Sequence, residues 1–140
     1  MDFPVTEDCA FCRIIAEGRE IIAANDLAVA FFDSYPCNPG HALIVPRAHV
    51  ADFFALPQFE QTALFALLPR VRRLVEKDHP ADGFNIGINV GSQAGQTIGH
   101  VHLHLIPRLK GDADPRGDGS HDPRGGIRWV VPARAAYWDD

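Results

Sequence analysis

The chain has 140 residues, 46% hydrophobic and 22% charged, which is the make-up of a single globular domain with its own core. A formal net charge of -5 argues against a nucleic-acid partner, which calls for clustered cations, but leaves room for one anionic ligand held by backbone amides and imidazoles. No apolar run approaches the ~18 residues of a membrane span, "MDFPVTEDCAFC" lacks a signal-peptide pattern, and three cysteines do not make a disulfide framework; a cytoplasmic protein with no membrane partner is expected.

The first element in chain order is "CAFCRIIAEG" (9–18), where Phe11, Ile14 and Ile15 fall at helical spacing and Gly18 supplies a stop. "EIIAANDLAVAFFDSYP" (20–36) has β-rich runs on both sides of Asn25-Asp26 and reads as a hairpin. "CNPGHALIVPRAHV" (37–50) opens with turn chemistry, continues as a strand from Ala42 to Val45 and is broken by Pro46. Between Pro57 and Lys77, Phe59, Ala63, Leu64, Leu67, Val71, Leu74 and Val75 recur every three or four positions, which predicts the major helix, kinked or divided at Pro69. "GFNIGINVG" (83–91) is a fourth strand, "SQAGQTIG" (92–99) a glycine-rich loop, and the run from His100 a fifth strand. The segment 110–140, with "DPRG" twice, reads as a loop and C-terminal extension in which "IRWVVP" (127–132) can form a further strand and "ARAAYW" (133–138) a closing turn or helix. Strands and helices without strict alternation indicate an α+β fold: a five-stranded antiparallel sheet, one major helix and a short N-terminal helix, all in one domain over 1–140.

The chemistry concentrates in "GQTIGHVHLHLIPR" (95–108). Side chains alternate across a strand, so His100, His102 and His104 share one face while Val101, Leu103 and Leu105 share the other. Gly95, Gln96 and Thr97 offer close backbone approach, an amide and a hydroxyl to an anion above that face, Asn89 adds a polar group at the same edge, and His41 stands at the mouth of another strand. Donors for phosphate oxygens beside an imidazole that is partly neutral at cell pH are what phosphoryl or nucleotidyl transfer requires.

"HVHLHLI" (100–106) meets the pattern His-φ-His-φ-His-φ-φ, and with "CAFCRIIAEGREI" and "AFFDSYPCNPGHALIVPRAHV" it resembles the histidine triad (HIT) superfamily over most of the chain. The closing "DPRGGIRWVVPARAAYW" is similar to an extension of bacterial members described as dinucleoside polyphosphate hydrolase-like. The resemblance implies a nucleotide substrate with its base among Phe11, Ile14 and Phe31, its ribose on Asp33 and its α-phosphate over the triad. His102 would be the nucleophile, His104 would contact phosphate oxygens, and His41 and His100 would support proton handling. Asn89, Gly95, Gln96 and Thr97 would hold the phosphates. Ser34 stands where many relatives carry an apolar residue after the ribose aspartate. The implied activity is hydrolysis of a dinucleoside polyphosphate at the α-phosphate, by a homodimer whose sheet runs across both chains. A nucleoside phosphoramidase and a non-catalytic nucleotide-binding protein are the alternatives, the intact triad standing against the second.

Cys9 and Cys12 form a Cys-x-x-Cys, and with His49 and His100 they make a donor set suited to tetrahedral zinc if the fold gathers them. Some bacterial members of the superfamily are similar in carrying structural zinc on such a set. A redox pair and two unpaired thiols are the other readings of Cys-x-x-Cys. No organic cofactor is expected, and Cys37 reads as inert. His79 and His121 read as solvated loop residues. Arg116, Arg124 and Arg128 are of a type that can contact distal phosphates.

Overall fold

The computed structural model describes residues 6, 8–113 and 123–139; Arg116 and His121 lie outside them. Five strands, β1 (Ala23–Ala24), β2 (Ala28–Phe32), β3 (Ala42–Pro46), β4 (Gly83–Ile88) and β5 (Leu103–Arg108), form one antiparallel sheet in the order β1-β2-β3-β5-β4. Asn25 makes the hairpin turn by accepting the Leu27 and Ala28 N–H groups on Oδ1.

Alternation sorts the sheet's two faces. Ala28, Ala30, Ala42, Ile44, Leu103 and Leu105 point to one side and pack against Leu64, Leu67, Val71 and Val75 of the helical segment. The long helical stretch is divided, as Pro69 suggests, into α2 (Gln58–Ala66) and α3 (Leu68–Asp78), with the proline in the first turn of α3, where its missing N–H costs nothing. The division also resets the buried stripe. Phe59 and Leu74 are exposed while Glu60 is buried, contrary to a single continuous face.

Val29, Phe31, Leu43 and Val45 point to the opposite side and pack under α1 (Ala10–Glu17). Cys9 caps α1 by accepting the Cys12 N–H on Sγ at 3.4 Å, and Gly18 ends it in the left-handed region at φ 66. Truncating either Phe11 or Phe31, whose rings lie 5.5 Å apart, would cost about 3–5 kcal/mol.

Three sequence expectations are corrected. The segment at 127–132 is not a strand: Gly125 and Gly126, at φ 97 and 45, turn the chain into a 3-10 helix over Gly126–Val130, and Pro132 starts another over Pro132–Arg134. The histidine strand begins only at Leu103, because before it the backbone pairs through a lone bond from the Val101 N–H to the Val50 carbonyl. His79 is not a solvated loop residue; it closes α3, meets the Phe32 ring edge-on at 5.9 Å, and lies so close to Gly40 that a Cβ there would come within 2.9 Å of it.

Candidate functional site

The face of the sheet under α1 carries the chemistry, and strand parity explains why. Phe31 and Asp33 on or just beyond β2, His41 and Leu43 at the start of β3, His102 and His104 at β5, and Gly87 and Asn85 on β4 all share it, with Leu43 opposite His104 and Gly87 on the other flank. A cavity of about 230 Å³ lies between this face and α1, lined by Phe11, Ile14, Phe31, Asp33, Thr97, His102 and His104 among others. The three apolar residues expected around a base, the carboxylate expected beneath a ribose, Thr97 and Ile98 of the glycine-rich loop and two triad histidines thus meet in one place.

Hydrogen bonds determine which imidazole nitrogens carry protons. The His102 Nδ1–H donates to the His100 carbonyl at 2.9 Å, so Nε2 presents a bare lone pair. A second chain starts at the Cys37 N–H, which donates to His41 Nδ1 at 3.0 Å. His41 in its neutral form therefore carries its proton on Nε2, which lies 2.9 Å from His104 Nδ1 and 3.5 Å from Asp33 Oδ2. His104 accepts on Nδ1 and so holds its own proton on Nε2, a buried atom with no hydrogen-bond partner among the described residues. Burial holds His41 below the ordinary histidine range, with Asp33 opposing the shift. Burial, then the neighbouring His102 and His41, push His104 down to about 4, so it stays neutral at physiological pH. One face thus presents a lone pair on His102 beside an N–H donor on His104, the pairing a nucleophile and a stabiliser of developing negative charge require.

The glycine-rich loop is held from within. Gln96 uses its whole carboxamide on the backbone: Oε1 accepts the Gly91 N–H at 2.9 Å, and Nε2 donates to the carbonyls of Ala51 and Ile98 at 2.8 and 3.0 Å. Gly95 sits at φ 96 and its N–H reaches the Ser92 carbonyl. Asn89 lies off the α1 cavity, in a larger neighbouring one that shares His104.

His100 faces away from both cavities. It is fully buried, its Nε2–H donates to the Pro46 carbonyl at 2.8 Å, and its Nδ1 joins Cys9, Cys12 and His49 in a cluster whose four donor atoms lie within 4.8 Å of one another. Its Nδ1 is 3.4 Å from Cys9 Sγ, 3.6 Å from Cys12 Sγ and 3.3 Å from His49 Nδ1, and His49 Nδ1 is 3.3 Å from Cys12 Sγ. Zinc with bonds of ~2.3 Å to sulfur and ~2.0 Å to nitrogen, arranged tetrahedrally, implies S···N edges of about 3.5 Å and N···N edges of about 3.3 Å. The four residues fit that polyhedron. The carbonyl on Nε2 also fixes the tautomer that leaves Nδ1 free to ligate, as outer-shell partners of metal-binding histidines do. Cys37, the third cysteine, is exposed and apart from the cluster, though its backbone N–H orients His41.

Arg124 and Arg128 line neither cavity. Arg124 lies over the Trp138 ring, and Arg128 lies over Tyr137 and donates to the carbonyls of Ala135 and Arg134, so both are spent on packing the C-terminal segment. Sequence reasoning took Cys37 as inert, although its backbone orients His41, and passed over Asn38 and Asp112. Asn38 donates to the Pro107 carbonyl and to Asp112, whose carboxylate also binds Arg108, and this ties the turn before His41 to the end of β5. The only advance signal was the Asn-Pro-Gly turn itself.

Residues 17–111 match the profile of the HIT domain. An uncharacterized HIT-like protein of Saccharolobus solfataricus is 38% identical over 109 residues, covering 76% of this chain and 78% of the relative. The asymmetrical bis(5'-nucleosyl)-tetraphosphatase of Schizosaccharomyces pombe is 40% identical over 95 residues, covering 68% of this chain but 52% of that protein, so the chain spans about half its length. Among solved structures, a HIT family protein from Bacillus anthracis superposes with a TM-score of 0.69 at 32% identity, covering 84% of this chain and 82% of its own.

Proposed function

The chain belongs to the HIT domain family, and on that premise we propose that it is a nucleotide hydrolase acting at the α-phosphate of a dinucleoside polyphosphate through a nucleotidyl-histidine intermediate. The observation that carries this reading is the pair of complementary imidazoles: a lone pair on His102 Nε2 and, one strand repeat away, an N–H on His104 Nε2 with no partner among the described residues. The base lies among Phe11, Ile14 and Phe31 and the ribose hydroxyls reach Asp33. His102 Nε2 attacks the α-phosphorus as the bond to the leaving phosphate oxygen breaks, and the His104 N–H faces the oxygen that takes up charge. His41 and Asp33 hold His104 in the donating tautomer. Water then cleaves the P–N bond, releasing a nucleoside monophosphate and restoring His102. Thr97 and the backbone of the braced loop approach the phosphates from above. The tetraphosphatase activity for which the S. pombe relative is named supports the substrate class.

Cys9, Cys12, His49 and His100 would hold a structural zinc, which would fix the start of α1 against the loop before β5 and take no part in the reaction. A homodimer would use the outer edge of β4, the last strand of the sheet.

Replacing His102 with Ala should abolish turnover of diadenosine tetraphosphate while leaving nucleotide binding largely intact, and the unsubstituted protein quenched in mid-turnover should carry an acid-labile nucleotide. Turnover retained by the variant removes His102 from the nucleophile role.

A further inference from the structure

Beside the α1 cavity, on the same sheet face, lies a second cavity of about 510 Å³. His104 belongs to both and forms the partition between them. The floor of the second is β4 and β5, with Asn85, Gly87 and Ile106 on the His104 face. Its far wall is Ile127 and Val130 of the C-terminal segment, beyond residue 111 where the HIT domain match ends. That segment lies close over β4: a Cβ on Gly126 would stand 3.4 Å from Asn85 Nδ2.

We propose that this cavity is the pocket for the second, departing nucleoside of the dinucleotide, and that Ile127 and Val130 determine the selection for substrates that carry one. This rests on the reaction proposed above. Three observations carry it. First, the two cavities meet at His104, the residue facing the scissile bond, so a substrate with its α-phosphate there extends from one into the other. Second, among the described residues no Lys, Arg, Asp or Glu lines the cavity, so it suits the uncharged end of the leaving group, while the phosphate bridge stays at the solvent-facing mouth. Third, the lining has the composition of a base site: Ile106 and Ile127 to cover the faces of a planar ring, with Asn85 Nδ2, its Oδ1 being taken by Arg108, and the Asn89 amide for the ring's polar edge. Its volume is more than twice that of the cavity assigned to the first nucleoside.

The experiment is done in the His102→Ala protein, which binds without turning over. Affinities are compared for diadenosine tetraphosphate and for adenosine tetraphosphate capped by a terminal methyl group, which has equal charge and no second nucleoside. The dinucleotide should bind at least tenfold tighter. That ratio should fall to near one when Ile127→Ser and Val130→Ser are combined, changes at exposed positions that spare the core. Gly87→Val, whose side chain enters open space in the cavity floor, should lower the ratio independently by filling the pocket. Equal affinities with Ile127 and Val130 in place, or a ratio that survives both sets of changes, overturns the assignment. Hydrolysis of the two compounds by the protein with His102 intact tests the catalytic reading separately, so failure of one is not mistaken for failure of the other.

Discussion

His41 tests the reasoning about imidazole protons most directly, because it makes one bond on each side and does not line the α1 cavity. In His41→Ala the Cys37 N–H loses its acceptor and His104 Nδ1 loses its donor. His104 is then free to move its proton to Nδ1, which leaves Nε2 a lone pair in place of the donor proposed to face the phosphate. Leaving one such buried group unsatisfied costs about 1–3 kcal/mol. Placed wholly on the barrier, that is a fall of roughly 5- to 150-fold in kcat, at about 1.36 kcal/mol per factor of ten. The comparison is made in kcat at saturating substrate, because His41 also lines the second cavity. Single-turnover kinetics on a dinucleoside polyphosphate separate nucleotidyl transfer from hydrolysis, and the loss should appear in the first step. A His41→Phe variant controls for the void, since it restores volume without the N–H donor and should lose as much. If both variants keep kcat within about twofold of the parent, the relay from Cys37 to His104 does not govern catalysis.

Two further outcomes follow from features away from the nucleophile. Protein purified without added zinc should contain about one zinc per chain, and Cys12→Ser should lose it together with thermal stability; metal analysis showing none, or unchanged content in the variant, removes the metal assignment. Arg108 first, then the Leu109 N–H and Asn38, hold the Asp112 carboxyl well below the usual carboxylate range. A depressed folded-state pKa stabilises the fold above the unfolded value near ~3.9 and loses that contribution as pH falls below it. The stability advantage of the parent over Asp112→Asn in urea titrations should therefore be present at pH 7 and shrink below about pH 4; a difference independent of pH refutes the pairing.

Strand parity is the part of this molecule most legible in its sequence. Alternation alone put His102 and His104 opposite the apolar side chains that pack on the helices, and the same alternation in β2 and β3 brings Phe31, Asp33 and His41 to their side. The metal set was visible as residue types, but gathering it depended on the Val50–Val101 pairing that lays His49 beside His100, a long-range contact with no local signature. What escaped was the use of polar groups. A sequence shows that Gln96 has an amide, not that three backbone groups consume it, and it shows cationic Arg124 and Arg128 without the aromatic rings that take them up. The C-terminal segment misled for a related reason: its β-branched residues favour a strand, but consecutive glycines and a proline govern its path.

One peptide unit joins the two chemistries. The side chain of His100 belongs to the Cys9, Cys12, His49 and His100 cluster proposed to hold zinc, while its carbonyl accepts the hydrogen bond from the His102 ring. Residue 100 is therefore a common fulcrum: whatever shifts its backbone at the cluster swings the His102 imidazole, the proposed nucleophile, at the other end of one hydrogen bond. A library selected for metal affinity around position 100 would be selecting the angle of attack on phosphorus at the same time, and the two properties could not be tuned apart without first giving the His102 ring another support.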